Sequence, residues 1–194
     1  MPVEPAISVS NTPWFALVAR PRHEKTASKG LQMRGLESFL PLYESWRNWT
    51  DRRKLIELPV FPGYLFCRLQ YSQRLSALNT PGIRSIVGFN GQDTPVPEVE
   101  LQAVRKLLGA GYPVQPWPFL KAGETVRILD GPLAGVEGTV LREKSRLRVV
   151  VSIELLQRSV AVEIDRTGVR MEKAPAVMKA PPAKAVSLPA GARC

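Results

Sequence analysis

The chain has 194 residues, with 27 Lys and Arg against 17 Asp and Glu, a formal net charge of +10 and an isoelectric point near 10.1. This balance points to polyanionic partners, and 44% hydrophobic residues exclude a wholly disordered chain while allowing one large domain or two small ones. Two cysteines, Cys67 and Cys194, and a single histidine, His23, exclude a disulfide framework, a Cys-rich zinc site and most imidazole-based catalysis.

Phosphate-loop, dinucleotide and nucleophile-elbow motifs are absent, and no apolar run approaches the roughly 18 residues of a membrane span. The expectation is a cytoplasmic, monomeric binding protein with no enzymatic activity, cofactor, metal or membrane association. Residues 1–12 carry Pro and Glu without an apolar core and read as a flexible N-terminus. Residues 14–19 are a continuous apolar run suited to a central strand, and 23–34 suit a helix with Pro21 just ahead of it. At about 100° per residue, Arg22, Lys25 and Lys29 share one face of that helix and Ala27 and Leu31 lie opposite.

Residues 36–43, 55–60 and 63–69 read as strands, the first two separated by the polar stretch 44–54. In the third, period 2 sends Leu65, Cys67 and Leu69 to one face and Tyr64, Phe66 and Arg68 to the other. Residues 84–89 supply a further strand, and 97–108 a helix that starts on Pro97 with Glu98 and Glu100 in its first turn. Arg105 and Lys106 complement its far end, Gly109 offers a left-handed stop, and Leu101, Val104 and Leu108 form its apolar stripe. The N-terminal unit is thus a mixed α/β sandwich over 13–109.

Gly and Pro cluster in 110–120, which reads as a linker. Beyond it the pattern turns to strands at 124–129, 136–142, 147–153 and 159–164, with Asp130-Gly131-Pro132 and Gly135 as turn chemistry. A unit over 121–171 with this spacing hides its edges best as a small closed barrel. Residues 172–194 mix Ala and Pro with Lys and Arg and read as a disordered basic tail.

Three stretches could carry binding. The strip from Trp46 to Lys54 interleaves Trp46 and Trp49 with Arg47, Arg52, Arg53 and Lys54, which suits phosphates and exposed bases; it also suits a solvated loop whose Trp side chains pack back on the sheet. Arg20, Arg22, His23, Lys25 and Lys29 make a basic helix face that suits phosphate, or an ordinary solubilising surface. Phe61-Pro62-Gly63-Tyr64-Leu65-Phe66 concentrates aromatics that could receive another protein's helix or simply pack beneath one of this chain's own.

Trp14-Phe15-Ala16-Leu17, Phe61-Pro62-Gly63-Tyr64, Val87-Gly88-Phe89, the run from Gly123 to Ile128, the run from Asp130 to Gly135, and Gly138 resemble the NusG family of transcription factors in order and spacing, over about residues 14–171. The resemblance implies an α+β protein: an NGN-type antiparallel sheet flanked by helices, followed by a small SH3-like KOW barrel. It implies a bacterial elongation or antitermination factor whose NGN domain grips the β′ clamp helices of RNA polymerase. That grip would use Trp14, Phe15, Val18, Phe61, Pro62, Tyr64, Phe66 and Phe89, on a face that serves as an interface rather than a second core. Arg20, Arg22, His23, Lys25, Arg47, Arg52, Arg53 and Lys54 would lie near upstream or non-template DNA of the bubble; Gln73-Arg74-Leu75-Ser76 stands where specialised paralogues approach the polymerase gate loop but departs from their polar Thr-rich pattern, which argues against that contact here.

Within the family, Arg22-His23-Glu24-Lys25, the run from Leu58 to Tyr64 and the run from Glu154 to Glu163 look most like the UpxY-type operon-specific antiterminators. Where the housekeeping factor carries an aromatic-Gly-Arg loop for Rho and a ribosomal protein, this chain has Leu155, Leu156, Gln157 and Arg158, the loop a second partner would meet. Strictly alternating Val and Ile imply a stable barrel that does not switch to helix. Two other readings stay open: a general NusG-like factor coupling to Rho or the ribosome, and a KOW-type ribosomal or RNA-binding protein.

Overall fold

The computed structural model describes residues 12–49, 52–120, 124–143, 146–165 and 170–173. The expectations for residues 1–11 and for the tail from 174 onward lie outside the described residues. In chain order the first half runs β1 (Trp14–Ala19), α1 (Glu24–Met33), β2 (Ser38–Phe39), β3 (Leu42–Asn48), β4 (Arg53–Pro59), β5 (Tyr64–Arg68), α2 (Arg74–Leu78), β6 (Ile83–Ile86), β7 (Gly88–Phe89), β8 (Gln92–Asp93), β9 (Pro95–Val96) and α3 (Glu98–Gly109). The second runs β10 (Val114–Pro118), β11 (Glu124–Ile128), β12 (Glu137–Glu143), β13 (Arg146–Ile153), β14 (Arg158–Asp165) and β15 (Met171–Lys173).

The apolar run of β1 lies at the centre of an antiparallel sheet ordered β2-β5-β1-β6, with β9 pairing β1 beyond the end of β6. Period 2 divides its side chains between two layers. Leu17 and Ala19 meet Leu65, Cys67, Ala27, Leu31 and Ala77 on the side of α1 and α2. Trp14 and Ala16 meet Phe66, Leu101, Val104 and Leu107 on the side of α3. The sheet is therefore packed on both faces, and the Trp14 and Phe66 part of the face expected as an open interface is a second core, while Val18 and Tyr64 at its other end are only half-buried. Phe61 packs edge-on against Phe66 at 5.9 Å between ring centroids, and Phe66 stacks on Phe39 at 6.2 Å.

Strands β3 and β4 form a separate two-stranded ribbon, its base closed by the Val60 N–H to Pro41 carbonyl bond at 2.9 Å. The second half is one antiparallel sheet in the order β10-β14-β13-β12-β11-β15. Leu147, Val149, Val151 and Ile153 of β13 and Val160, Val162 and Ile164 of β14 point inward, as their alternation requires.

Five details depart from expectation. Residues 36–43 and 84–89 are each broken, the first at Leu40 and Pro41 and the second at Val87. Pro97 is the N-cap of α3 rather than its first helical residue, and the helix continues through Gly109 until Gly111 takes the positive φ of 75°. Leu107 rather than Leu108 is the fully buried residue of its last turn. Within the segment expected as a linker, β10 pairs with β14, and Pro116 and Pro118 are tolerated because β10 ends the sheet. The other end of this sheet is the short β15, and among the described residues the two ends do not pair, so the ladder does not close as the barrel expectation required.

The two halves share one continuous core. Leu101, Val104 and Leu107 of α3 bridge Trp14 and Phe66 to Val136, Ile153 and Leu156. Lys106 Nζ donates to the Ala134 carbonyl at 3.1 Å, and the Glu154 N–H donates to Glu100 Oε2 at 3.3 Å.

Candidate functional site

The eight residues expected to grip a polymerase helix are not on one surface. Trp14, Phe61 and Phe66 are fully buried, with exposures of 1%, 1% and 0%. Phe15 points to the opposite face of the sheet. There it lines a cleft of about 650 Å³ with Leu69, Tyr71, Ile86 and the Arg74–Asp93 ion pair. Phe89 is exposed on the β7–β8 hairpin, and Pro62 is exposed in the turn before β5.

Val18 and Tyr64 behave differently. They are directly paired across β1 and β5, lie on the α3 side of the sheet and are half-buried. At the other end of the same pair of strands Trp14 is wholly covered. Arg68 and Arg105 place their guanidinium carbons 4.9 and 4.8 Å from its ring centroid. Glu37 bridges the two arginines at 3.2 and 3.8 Å, and Glu98 pairs with Arg68 at 2.7 Å. The α3 side of the sheet is thus sealed at one end by this cluster and accessible at the Val18–Tyr64 end.

That end is built by a turn. Glu24, the first residue of α1, is buried and its Oε1 accepts the Gly63 N–H at 2.9 Å. Gly63 has φ of 84°, which a side chain would strain, and its carbonyl accepts the Ala19 N–H at 2.8 Å. Helix α1, the Phe61-Pro62-Gly63 turn and the end of β1 are thereby held together.

The cationic residues form two neighbouring groups. Arg20, Arg22, His23 and Lys25 are exposed around the start of α1, with Arg22 at a positive φ of 64° and His23 Nδ1 2.9 Å from the Pro21 carbonyl oxygen. Lys25 Nζ bonds Glu57 of β4 at 2.9 Å, which sets this group beside the base of the ribbon. Arg47, Arg52, Arg53 and Lys54 are exposed toward the ribbon's end. Trp46 and Trp49 there are 60% and 61% exposed, so they do not pack back on the sheet. In the second half, Leu155 is half-buried and Leu156 nearly buried against the shared core, while Gln157 takes a left-handed turn and Arg158 is exposed.

Sequence reasoning missed the Glu24–Gly63 contact, the charged cluster over Trp14 and the cleft. The first had no local signal, since the partners are far apart in sequence. For the second, Glu98 and Arg105 lie seven positions apart on α3 and so share a face.

The architecture and its exposed groups define an α+β protein of antiparallel sheets with a projecting cationic ribbon. Residues 12–105 match a family model described as "Transcription termination factor nusG". The chain is similar to the "Transcription termination/antitermination protein NusG" of Vibrio cholerae, at 31% identity over 76% of this chain and 84% of the relative. The protein of the same description from Pseudomonas aeruginosa is 28% identical over 78% and 94%. A solved structure described as "Domain interaction in Thermotoga maritima NusG" aligns with TM-score 0.49 and 21% identity over 84% of this chain and 97% of that one. The chain belongs to the NusG family of transcription factors.

Proposed function

We propose that this chain is a bacterial transcription elongation and antitermination factor that binds the β′ clamp helices of RNA polymerase through its first half, residues 13–109, and suppresses pausing or termination. The half-buried Val18–Tyr64 pair carries this reading. It is an apolar patch at the open end of a sheet face, and the Glu24–Gly63 bond holds the turn beside it in shape. A helix tip laid there would bury both side chains against Pro62, with the hydrophobic gain of about 25 cal/mol per Å². The names of the relatives, termination/antitermination proteins, agree with an action on transcription.

The exposed cations of α1 and the ribbon face DNA of the transcription bubble in this reading. The second half acts as the KOW module. Its loop carries no aromatic residue and buries Leu156, which supports an operon-specific role over coupling to Rho or the ribosome. The protein works as a cytoplasmic monomer.

Full chain carrying Val18→Ser and Tyr64→Ser tests the site, because neither side chain is in the sealed core. Affinity for core RNA polymerase should fall at least about tenfold, with the urea midpoint close to that of the parent. Undiminished affinity in a folded variant contradicts the proposed site.

A further inference from the structure

The helix layer leaves one part of the central sheet open. Leu17 and Ala19 of β1 are buried in the core that α1 and α2 complete, whereas Phe15, on the same face at the start of the strand, is only half-buried. With Leu69 and Ile86 it makes the apolar part of the cleft of about 650 Å³. The rest of the lining is polar: Gln92 and Asp93 of β8, Arg74 of α2, and Tyr71, which is 93% exposed at the rim. Among the described residues that line the cleft, Arg74 is the one cation and Asp93 the one carboxylate. Arg74 Nε donates to Asp93 Oδ2 at 2.5 Å and Nη2 donates to Oδ1 at 3.2 Å. This side-on pairing uses two of the five guanidinium donors. It leaves Nη1 without a partner among the described residues, on a side chain that is 40% exposed.

We infer that this cleft is a binding site for a small monocarboxylic acid with an apolar body, its carboxylate on the outer edge of the Arg74 guanidinium and its body on Phe15, Leu69 and Ile86. The volume falls within the range of roughly 300–1,000 Å³ of small-molecule sites, and an apolar floor with a few polar groups to one side is the composition such sites have. The planar guanidinium already holds one carboxylate on its Nε edge, and its Nη1–Nη2 edge offers the same two-donor geometry to a second. A net charge of +10 draws anions rather than cations to the chain, so the polar end takes an acid over an amine. An apolar body laid on Phe15 and Ile86 removes from water the surface that α1 and α2 leave open. Phe15, which the family resemblance assigns to the polymerase grip, serves this second site instead. The site lies on the opposite face of the sheet from Val18 and Tyr64 and does not rest on the reading of that pair.

The test titrates the isotope-labelled full chain with phenylpropionate, or with phenylpropionamide as its neutral counterpart, and follows the amide resonances. The acid should bind saturably with shifts centred on Ile86, Gly91 and Gln92, and the amide at least about tenfold more weakly. Arg74→Lys keeps a charge beside Asp93 but loses the planar fork, and should weaken the acid about tenfold. Asp93→Asn removes the negative charge beside the ligand and should bind the acid as tightly as the parent or more so. Ile86→Ala should weaken acid and amide alike, with the urea midpoint of each variant reported beside its affinity. Equal affinity for acid and amide overturns the carboxylate assignment. Parallel loss in Arg74→Lys and Asp93→Asn overturns it as well, because the ion pair would then matter only for closing the β7–β8 hairpin on α2. Shifts centred on the cations of α1 or the ribbon, or no saturable binding of the acid, overturn the site.

Discussion

The Glu24 carboxylate accepts the Gly63 backbone N–H at 2.9 Å and so joins the first turn of α1 to the turn that begins β5. The acceptor is nearly buried, and removing it leaves a backbone donor without its partner. Glu24→Ala should cost about 1–3 kcal/mol in urea unfolding, and Glu24→Gln, which keeps a carbonyl acceptor, less. Gly63→Ala should destabilise by about 1–2 kcal/mol because its φ is positive. Equal midpoints for Glu24→Ala and the parent would show that the bond does not hold the turn.

Trp14 and Phe66 share one core with Ile153 and Val160 through α3. Phe66→Ala should therefore cost about 3–5 kcal/mol. The full chain should also melt in a single calorimetric transition that this substitution lowers as a whole. Two transitions, with only one moved, would mean that the shared core does not couple the halves.

Much of this core was legible in sequence because it obeys simple periods. The apolar run 14–19 reads as a central strand, and the alternation of 147–153 names its own inward face. Cover was not legible: period 2 sets Phe66 opposite Leu65, but only tertiary packing by α3 and Phe61 makes that face a core. The β10 strand was hidden by Pro116 and Pro118, which read as breakers until the strand is seen to lie at a sheet end. Of the candidate site, the exposed cations and Trp46 were visible as composition, whereas the accessible Val18–Tyr64 pair depends on which end of β1 and β5 is sealed.

Cys67 of β5 is buried beneath the layer of α1 and α2, and burial, reinforced by Glu37, pushes its thiol up from 9.0 to about 12. The folded value lies above the ordinary one. Its neutral-thiol contribution to stability is therefore complete below about pH 9 and lost as pH rises toward about 12. With Cys194→Ser in place, a thiol reagent at about pH 8 should label the chain only in denaturant. Labelling at the same rate in native buffer would contradict this burial.

Asp130, in the turn after β11, accepts two hydrogen bonds from Arg170, at 2.5 and 3.3 Å. These bonds hold its carboxyl below the usual carboxylate range. The folded value is depressed, so this contribution is present above the ordinary carboxylate range and disappears as pH falls through the lowered value. An amide-exchange titration at Leu129, whose N–H donates to the Arg170 carbonyl at 2.9 Å, should show local opening in acid before global unfolding. Protection at Leu129 that persists until the whole chain unfolds would contradict a local role for the pair.

The most direct measurement is the affinity of the full chain for bacterial core RNA polymerase, compared with polymerase whose β′ clamp-helix tip has been deleted. The account predicts saturable binding to the first and its loss with the second. Equal binding to both would contradict the clamp-helix reading, and binding to neither would contradict the polymerase assignment itself.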